Sequence, residues 1–222
     1  MRASISLHDL RPSPRIVGPL ASFDMNRACT KKAAAIFVAY GPHLSDKKVL
    51  ACDIARRLEK DGAGVVWCDG HGDDDILLSA GDGRHVFVIE AATSCEVEDP
   101  GVFDDPSVRL LFINGRFFQV GIVLTMLQPP PAVQPVISSN IDYVFAFGTS
   151  CEETRARLFR SHFHEGFETL DSFCAAMDGV PARGCLVLDN TTHRPQDLVA
   201  VYIPPPPQPP IPPPSPPPKK KH

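Results

Sequence analysis

Residues Ala33–Lys48 read AAAIFVAYGPHLSDKK, and their reading decides the fold. Ala33 to Tyr40 is a continuous apolar run without polar alternation, the pattern of a strand buried on both faces of a parallel sheet. Gly41 ends it. From Lys47 the spacing changes: Leu50, Ile54 and Leu58 recur every fourth residue, and Lys60, Asp61 and Gly62 close the run, which predicts a helix with a C-terminal stop. Strand, loop and helix in this order make the first unit of a layered α/β domain.

The same alternation continues outward. Gly64 to Cys68 (GVVWC) is short and β-rich, and the Gly/Asp stretch Asp69 to Gly83 reads as a loop with at most one helical turn at Ile76 to Leu78. Its Asp73, Asp74 and Asp75 suit either a bound cation or a solvated acidic loop. Val86 to Ile89 is a second buried strand ending on Glu90. Asp105 before Pro106 is an N-cap followed by proline at the first helical position, opening a helix through Val108, Leu111 and Phe112 towards Asn114. Val120 to Leu127 is a third buried strand with Gln128 at its end; Pro129, Pro130, Pro131 and Pro135 then predict an extended loop. Ile141 to Phe147 is a fourth core strand. Ser150 with Glu153 matches a capping box opening a helix through Leu158 towards Phe163, and Leu170 to Met177 predicts another helix that stops at Gly179. Cys185 to Leu188 and Leu198 to Ile203 supply the last strands. The expected architecture is an α/β three-layer sandwich around a mainly parallel sheet. Residues 31–203 form the domain, residues 1–30 a flexible arm and residues 204–222 a disordered Pro-rich tail.

Composition agrees with one domain. The chain has 222 residues and a net charge of −4; the last nineteen residues hold half of the 24 prolines and, as charges, only Lys219, Lys220 and Lys221. The remainder is therefore acidic, which argues against broad, non-specific DNA binding. No apolar stretch approaches the ~20 residues of a membrane helix. Arg2, Asp9, Arg11 and Arg15 in the first thirty residues exclude the apolar core of a secretory signal, and their Arg/Ser bias fits a transit peptide only weakly. Cys29, Cys52, Cys68, Cys95, Cys151, Cys174 and Cys185 form no C-x-x-C pair, which favours reduced, buried thiols in an intracellular protein.

In such folds ligands sit beyond the carboxyl ends of the strands. Gly41 to Lys48 (GPHLSDKK), laid on the Walker A template G-x-x-x-x-G-K-[ST], keeps Gly41 and Lys47, while Asp46 replaces the second glycine and Lys48 the Ser/Thr. A carboxylate about 4 Å from a phosphate charge costs on the order of 4 kcal/mol at an effective dielectric of ~20, and a side chain where glycine usually stands adds backbone strain. Lys48 has no hydroxyl for Mg²⁺, although its ammonium offsets part of the Asp46 charge. The stretch reads either as a degenerate phosphate loop or as a plain strand-to-helix turn with a basic pair. At the end of the second strand Glu90 is a candidate Mg²⁺ acid, but Ala91 stands where a water-activating base belongs. Gln128 is placed like a residue that senses a γ-phosphate and orients water, or is a surface polar residue.

Val108 to Arg116 (VRLLFINGR), Asn140 to Phe145 (NIDYVF), Gly166 to Met177 (GFETLDSFCAAM), Cys185 to Thr191 (CLVLDNT) and Asp197 to Tyr202 (DLVAVY) follow in order. Together they resemble the genome-packaging ATPase of nucleocytoplasmic large DNA viruses, a poxvirus-type member of the FtsK/HerA-like, DNA-translocating P-loop class. The resemblance spans Ala33 to Ile203 and is stronger in the C-terminal half. It implies a ring-forming homo-oligomer that uses ATP and Mg²⁺ to pump viral double-stranded DNA into a capsid, with capsid or motor proteins as partners. The implied location is the host cytoplasm, a viral factory or the virion. By position it implies Gly41, Lys47 and Lys48 at the nucleotide, Glu90 at Mg²⁺, Gln128 as sensor, and Asn114 with Arg116 as the element behind the acidic strand. The departures are Asp46, Lys48, Ala91 in place of a second acid, Ser138 and Ser139 where an arginine is usual, and a shortened segment from Asp69 to Gly83. Such joint loss implies weak or absent hydrolysis, since each such group is commonly worth ~10²-fold or more in rate.

The alternative is a non-enzymatic adaptor that keeps the fold and uses its tail. Pro204 to Pro218 favours polyproline II, and Pro214, Pro217 and Lys219 match a P-x-x-P-x-[KR] ligand of a polyproline-binding domain; a semi-rigid spacer is the plain reading. Arg155, Arg157 and Arg160 are candidates for a locally basic ring pore. His162 and His164 lack a nearby ligand set, and Asp189 is expected to anchor the Asn190 turn.

Overall fold

The computed structural model describes residues 20–32, 34–68, 83–91, 103, 105–131, 133–192, 194 and 197–206. The Asp73–Asp75 cluster, the turn at residues 76–78, Cys95, residues 1–19 of the arm and the tail motif at Pro214, Pro217 and Lys219 lie outside them. The strands are β1 (Ala21–Ser22), β2 (Ile36–Tyr40), β3 (Gly64–Cys68), β4 (His85–Glu90), β5 (Val120–Met126), β6 (Tyr143–Phe147), β7 (Cys185–Asp189) and β8 (Val199–Tyr202). The helices are α1 (Met25–Lys31), α2 (Lys47–Lys60), α3 (Pro106–Asn114), α4 (Pro135–Ser138), α5 (Glu152–Ser161) and α6 (Leu170–Asp178), with a 3-10 turn at Phe163–Glu165.

Among the described residues the strands form one sheet in the order β1-β8-β7-β6-β2-β5-β4-β3. β7 is antiparallel to both neighbours and every other pair is parallel. Strand alternation sorts the core into two layers. Ile36, Val38 and Tyr40 of β2 face one layer with Leu111, Phe112, Leu158 and Phe173, so α3 to α6 cover that side. Phe37 and Ala39 face the other, with Leu50, Ile54 and Leu58 of α2 and Met25, Ala28 and Cys29 of α1. The expected three-layer α/β sandwich with a mainly parallel sheet is the fold.

Local expectations fail at identifiable places. The loose arm does not extend through residue 30. Ala21–Ser22 pairs with Ala200–Val201, and Phe23 sets its ring 5.6 Å from Tyr143 and 5.7 Å from Phe145. Asp24 then caps α1 by accepting from the Arg27 N–H at 3.1 Å. The Ser150–Glu153 capping box does not form: Cys151 occupies the N-cap without a side-chain bond, while Glu153 turns to Arg157 at 2.9 Å. The capping box falls instead at Thr169 and Ser172, at the start of α6. The proline-rich stretch after β5 is not wholly extended, because Pro135 opens the short α4. The six described cysteines carry free thiols, but only Cys29 and Cys185 are buried and Cys151 is exposed. No helix among the described residues is long and apolar enough to cross a membrane.

Candidate nucleotide site

Parallel strands end on the same side, so β2, β4 and β5 deliver their following loops to one edge of the sheet. Gly41 donates its N–H to Met126 O at 3.1 Å, and Ala91 donates to Thr125 O at 3.0 Å, which ties the ends of β2 and β4 to β5 between them. Gly41 is required by close approach: a Cβ there would sit 2.6 Å from Phe147 Cβ. The loop then turns, with the Ser45 N–H and hydroxyl both donating to Pro42 O, at 3.1 and 2.8 Å. Leu44 at its tip is fully exposed.

Lys47, first residue of α2, folds back under this turn. Its Nζ donates to Gly41 O, and to Pro42 O at 3.1 Å. Burial lowers its pKa to about 8, and the nearby Glu90 carboxylate works against that shift. Lys48 lies outside, 3.4 Å from Glu90 Oε1 and 3.5 Å from Oε2. Among the described residues no hydrogen bond to the buried Oε1 accompanies that ion pair. A carboxylate oxygen withdrawn from water and not hydrogen-bonded suits a hard cation, and Mg²⁺ takes one or two carboxylates with phosphate oxygens and water. Among the described residues no group of three or more His, Cys, Asp or Glu is arranged for a metal, so an ion here would depend on oxygens from a bound nucleotide.

Asp46 departs from its expected effect. Its φ of −73° is ordinary for a side-chain-bearing residue, so the loop is not strained at the position where the template has glycine. Its carboxylate makes no cap bond to α2 and pairs with Arg183 Nε at 2.6 Å. Arg183 was not signalled by the sequence, being 137 residues away on the turn before β7. Gln128 is exposed at the end of β5, and its Oε1 accepts from Thr154 Oγ1 of α5 at 3.3 Å.

Gly41, Lys47, Lys48, Glu90 and Gln128 thus share one edge. Asn114 and Arg116 do not join them. They lie at the opposite edge, between α3 and the start of β5, where Arg116 donates to Asp142 Oδ1 at 2.9 Å and to Asn140 O at 2.9 Å. Arg155 binds Asp178 at 2.5 Å and Arg157 binds Glu153 at 2.9 Å, so acids compensate these candidate pore arginines. Arg157 and Arg160 nonetheless line a cavity of about 390 Å³ together with Ser138. His162 is buried against the Tyr40 hydroxyl at 3.1 Å, and Asp189 accepts from the Thr191 N–H and hydroxyl to hold the turn after β7.

No protein-family model matches the chain, and no curated protein matches it in sequence. Solved structures do match in fold. The genome packaging NTPase B204 from Sulfolobus turreted icosahedral virus 2 in complex with AMPPCP superposes with a TM-score of 0.56 at 13% identity, over 78% of this chain and 99% of that one. The same protein in complex with ATP-gammaS gives 0.54 at 11% identity, over 78% and 98%. B204, the DNA-packaging ATPase from Sulfolobus Turreted Icosahedral Virus, gives 0.52 at 12%, over 77% and 97%. At these identities the likeness establishes a packaging-ATPase-like, P-loop NTPase-like α/β fold.

Proposed function

We propose that this protein is a viral DNA-packaging ATPase homologue, of the branch found in nucleocytoplasmic large DNA viruses, that retains nucleotide binding and has weak or lost hydrolysis. The observation that carries the reading is the convergence of Gly41, Lys47, Glu90 and Gln128 on adjacent ends of β2, β4 and β5. Lys47 would contact the phosphates of ATP once its ammonium leaves the loop carbonyls, Glu90 would hold Mg²⁺, and Gln128 would sense the terminal phosphate. Mg²⁺ at Glu90 would neutralise charge on phosphate oxygens. Ala91 supplies no base and Lys48 no hydroxyl, which is why hydrolysis is expected to be slow. The implied partners are viral double-stranded DNA, further copies of the chain in a ring, and capsid or motor components, with a polyproline-binding domain for the tail. The implied setting is the infected cell or the virion.

Titration with Mg-ATP tests the reading: micromolar affinity that Lys47→Ala abolishes is expected. Because the Lys47 pKa is about 8, affinity should also fall as pH rises from 7.5 to 9. No binding under any condition would favour the adaptor, and rapid phosphate release dependent on Lys47 would overturn the loss of hydrolysis.

A further inference from the structure

We infer that Arg183 is a positioning residue of the nucleotide site, and that it acts by holding Asp46 off the phosphate loop. This rests on the reading of Gly41–Lys48 as that loop. Asp46 occupies the N-cap of the fourteen-residue α2, where an Asp side chain ordinarily accepts from the first-turn amides. Here it accepts none of them. Its Oδ2 is engaged by Arg183 Nε at 2.6 Å, and Arg183 is fixed from the other side by donating to Pro205 O at 3.4 Å. Two consequences follow for an incoming polyphosphate. The Asp46 charge is matched by a guanidinium, and the first-turn N–H groups of α2 are not capped by an internal carboxylate that would compete with phosphate for them.

Without Arg183 the carboxylate is free to rotate onto its own helix terminus and act as a tethered anion in the site. The template glycine is therefore replaced by a two-residue device, an acid and the arginine that restrains it, joined only by the fold. The arginine stands on the turn that leads into β7, beside the segment leaving β8, so the loop is set from the far half of the chain.

The test is a double-mutant cycle on the full chain, read as the dissociation constant for Mg-ATPγS by calorimetry, with circular dichroism confirming folding. Arg183→Ala is expected to weaken binding about ten-fold, because solvent at this part-exposed loop screens the released charge to nearer its value in water. Asp46→Ala should bind at least as tightly as the unaltered protein. The double variant should return to the Asp46→Ala level, because without the carboxylate there is nothing to restrain. A double variant as weak as Arg183→Ala would overturn the inference, showing that Arg183 touches the nucleotide or only shapes the loop. Unchanged binding by Arg183→Ala, with the unaltered protein binding normally, would also overturn it alone. Failure of all four proteins to bind would remove the nucleotide-site reading and the inference with it.

Discussion

The two edges of the sheet handle charge in opposite ways. At the edge where β2, β5 and β6 begin, Asp142 is 2% exposed and accepts from Lys32 Nζ at 2.6 Å, Arg116 at 2.9 Å and the Ile36 N–H at 2.9 Å. Both oxygens of the Asp142 carboxylate are thus engaged by protein donors. At the edge where β2, β4 and β5 end, the buried oxygen of Glu90 has only an exposed lysine beside it, Lys47 is folded onto backbone carbonyls, and Asp46 is held by an arginine at the rim. Closed polar clusters fasten strands; an edge left incomplete is where a ligand has something to supply. The resemblance put Arg116 in the element behind the acidic strand, and there it fastens α3 and the start of β5 to Asp142.

The largest effect should come from the closed edge. Asp142→Ala leaves the buried Ile36 N–H unmatched and frees two part-exposed cations. It is expected to cost about 3–4 kcal/mol in urea unfolding, most of it from the buried donor and its charge-assisted bonds and the rest from the screened pairs. A cost below ~1 kcal/mol would break the contrast. Next is acid. Burial lowers His162 from 6.5 to about 4, with His164 adding to the effect. Between those values the unfolded chain takes up a proton that the folded chain refuses. Stability should therefore fall as pH drops from 6.5 to 4, by about 3 kcal/mol in full. His162→Gln should flatten that slope in pH-dependent unfolding. A smaller comparison sets two N-caps side by side. Thr169 accepts from the Ser172 N–H at 3.1 Å, so Thr169→Ala should cost about 1 kcal/mol. Asp46 makes no cap bond and only a part-exposed ion pair, so Asp46→Ala should cost less than that in thermal unfolding.

Much of the fold was legible because buried parallel strands advertise themselves. AAAIFVAY and VFVI are apolar on both faces, and the four-residue spacing of Leu50, Ile54 and Leu58 has no other economical reading. The segment from Ala21 to Lys31 was not legible. β1 is two residues long, and α1 buries Met25, Ala28 and Cys29, of which two are too small to mark a periodic face. The segment is held by those three side chains in the core, by the pairing of β1 with β8, and by Phe23, a single ring set among Tyr143, Phe145 and Tyr202. The capping box was misplaced for a related reason. Ser150–Glu153 has the right spacing, but Arg157 one turn on competes for Glu153, and only the folded helix decides between them.

Within the site, the sequence alone identified Lys47 and Glu90 as candidates, since each follows directly from a strand end and a template. It also determined that Asp46, Lys48 and Ala91 depart from that template, because residue identity needs no coordinates. Tertiary structure decided what those departures mean. Asp46 is unstrained and restrained by an arginine from the other end of the chain, Glu90 buries one oxygen beside the exposed Lys48, and Arg116 serves the opposite edge. The physical reason is range: hydrophobic period and capping act within a few residues, whereas a charge is governed by whatever lies within a few ångströms, and the fold chooses those neighbours.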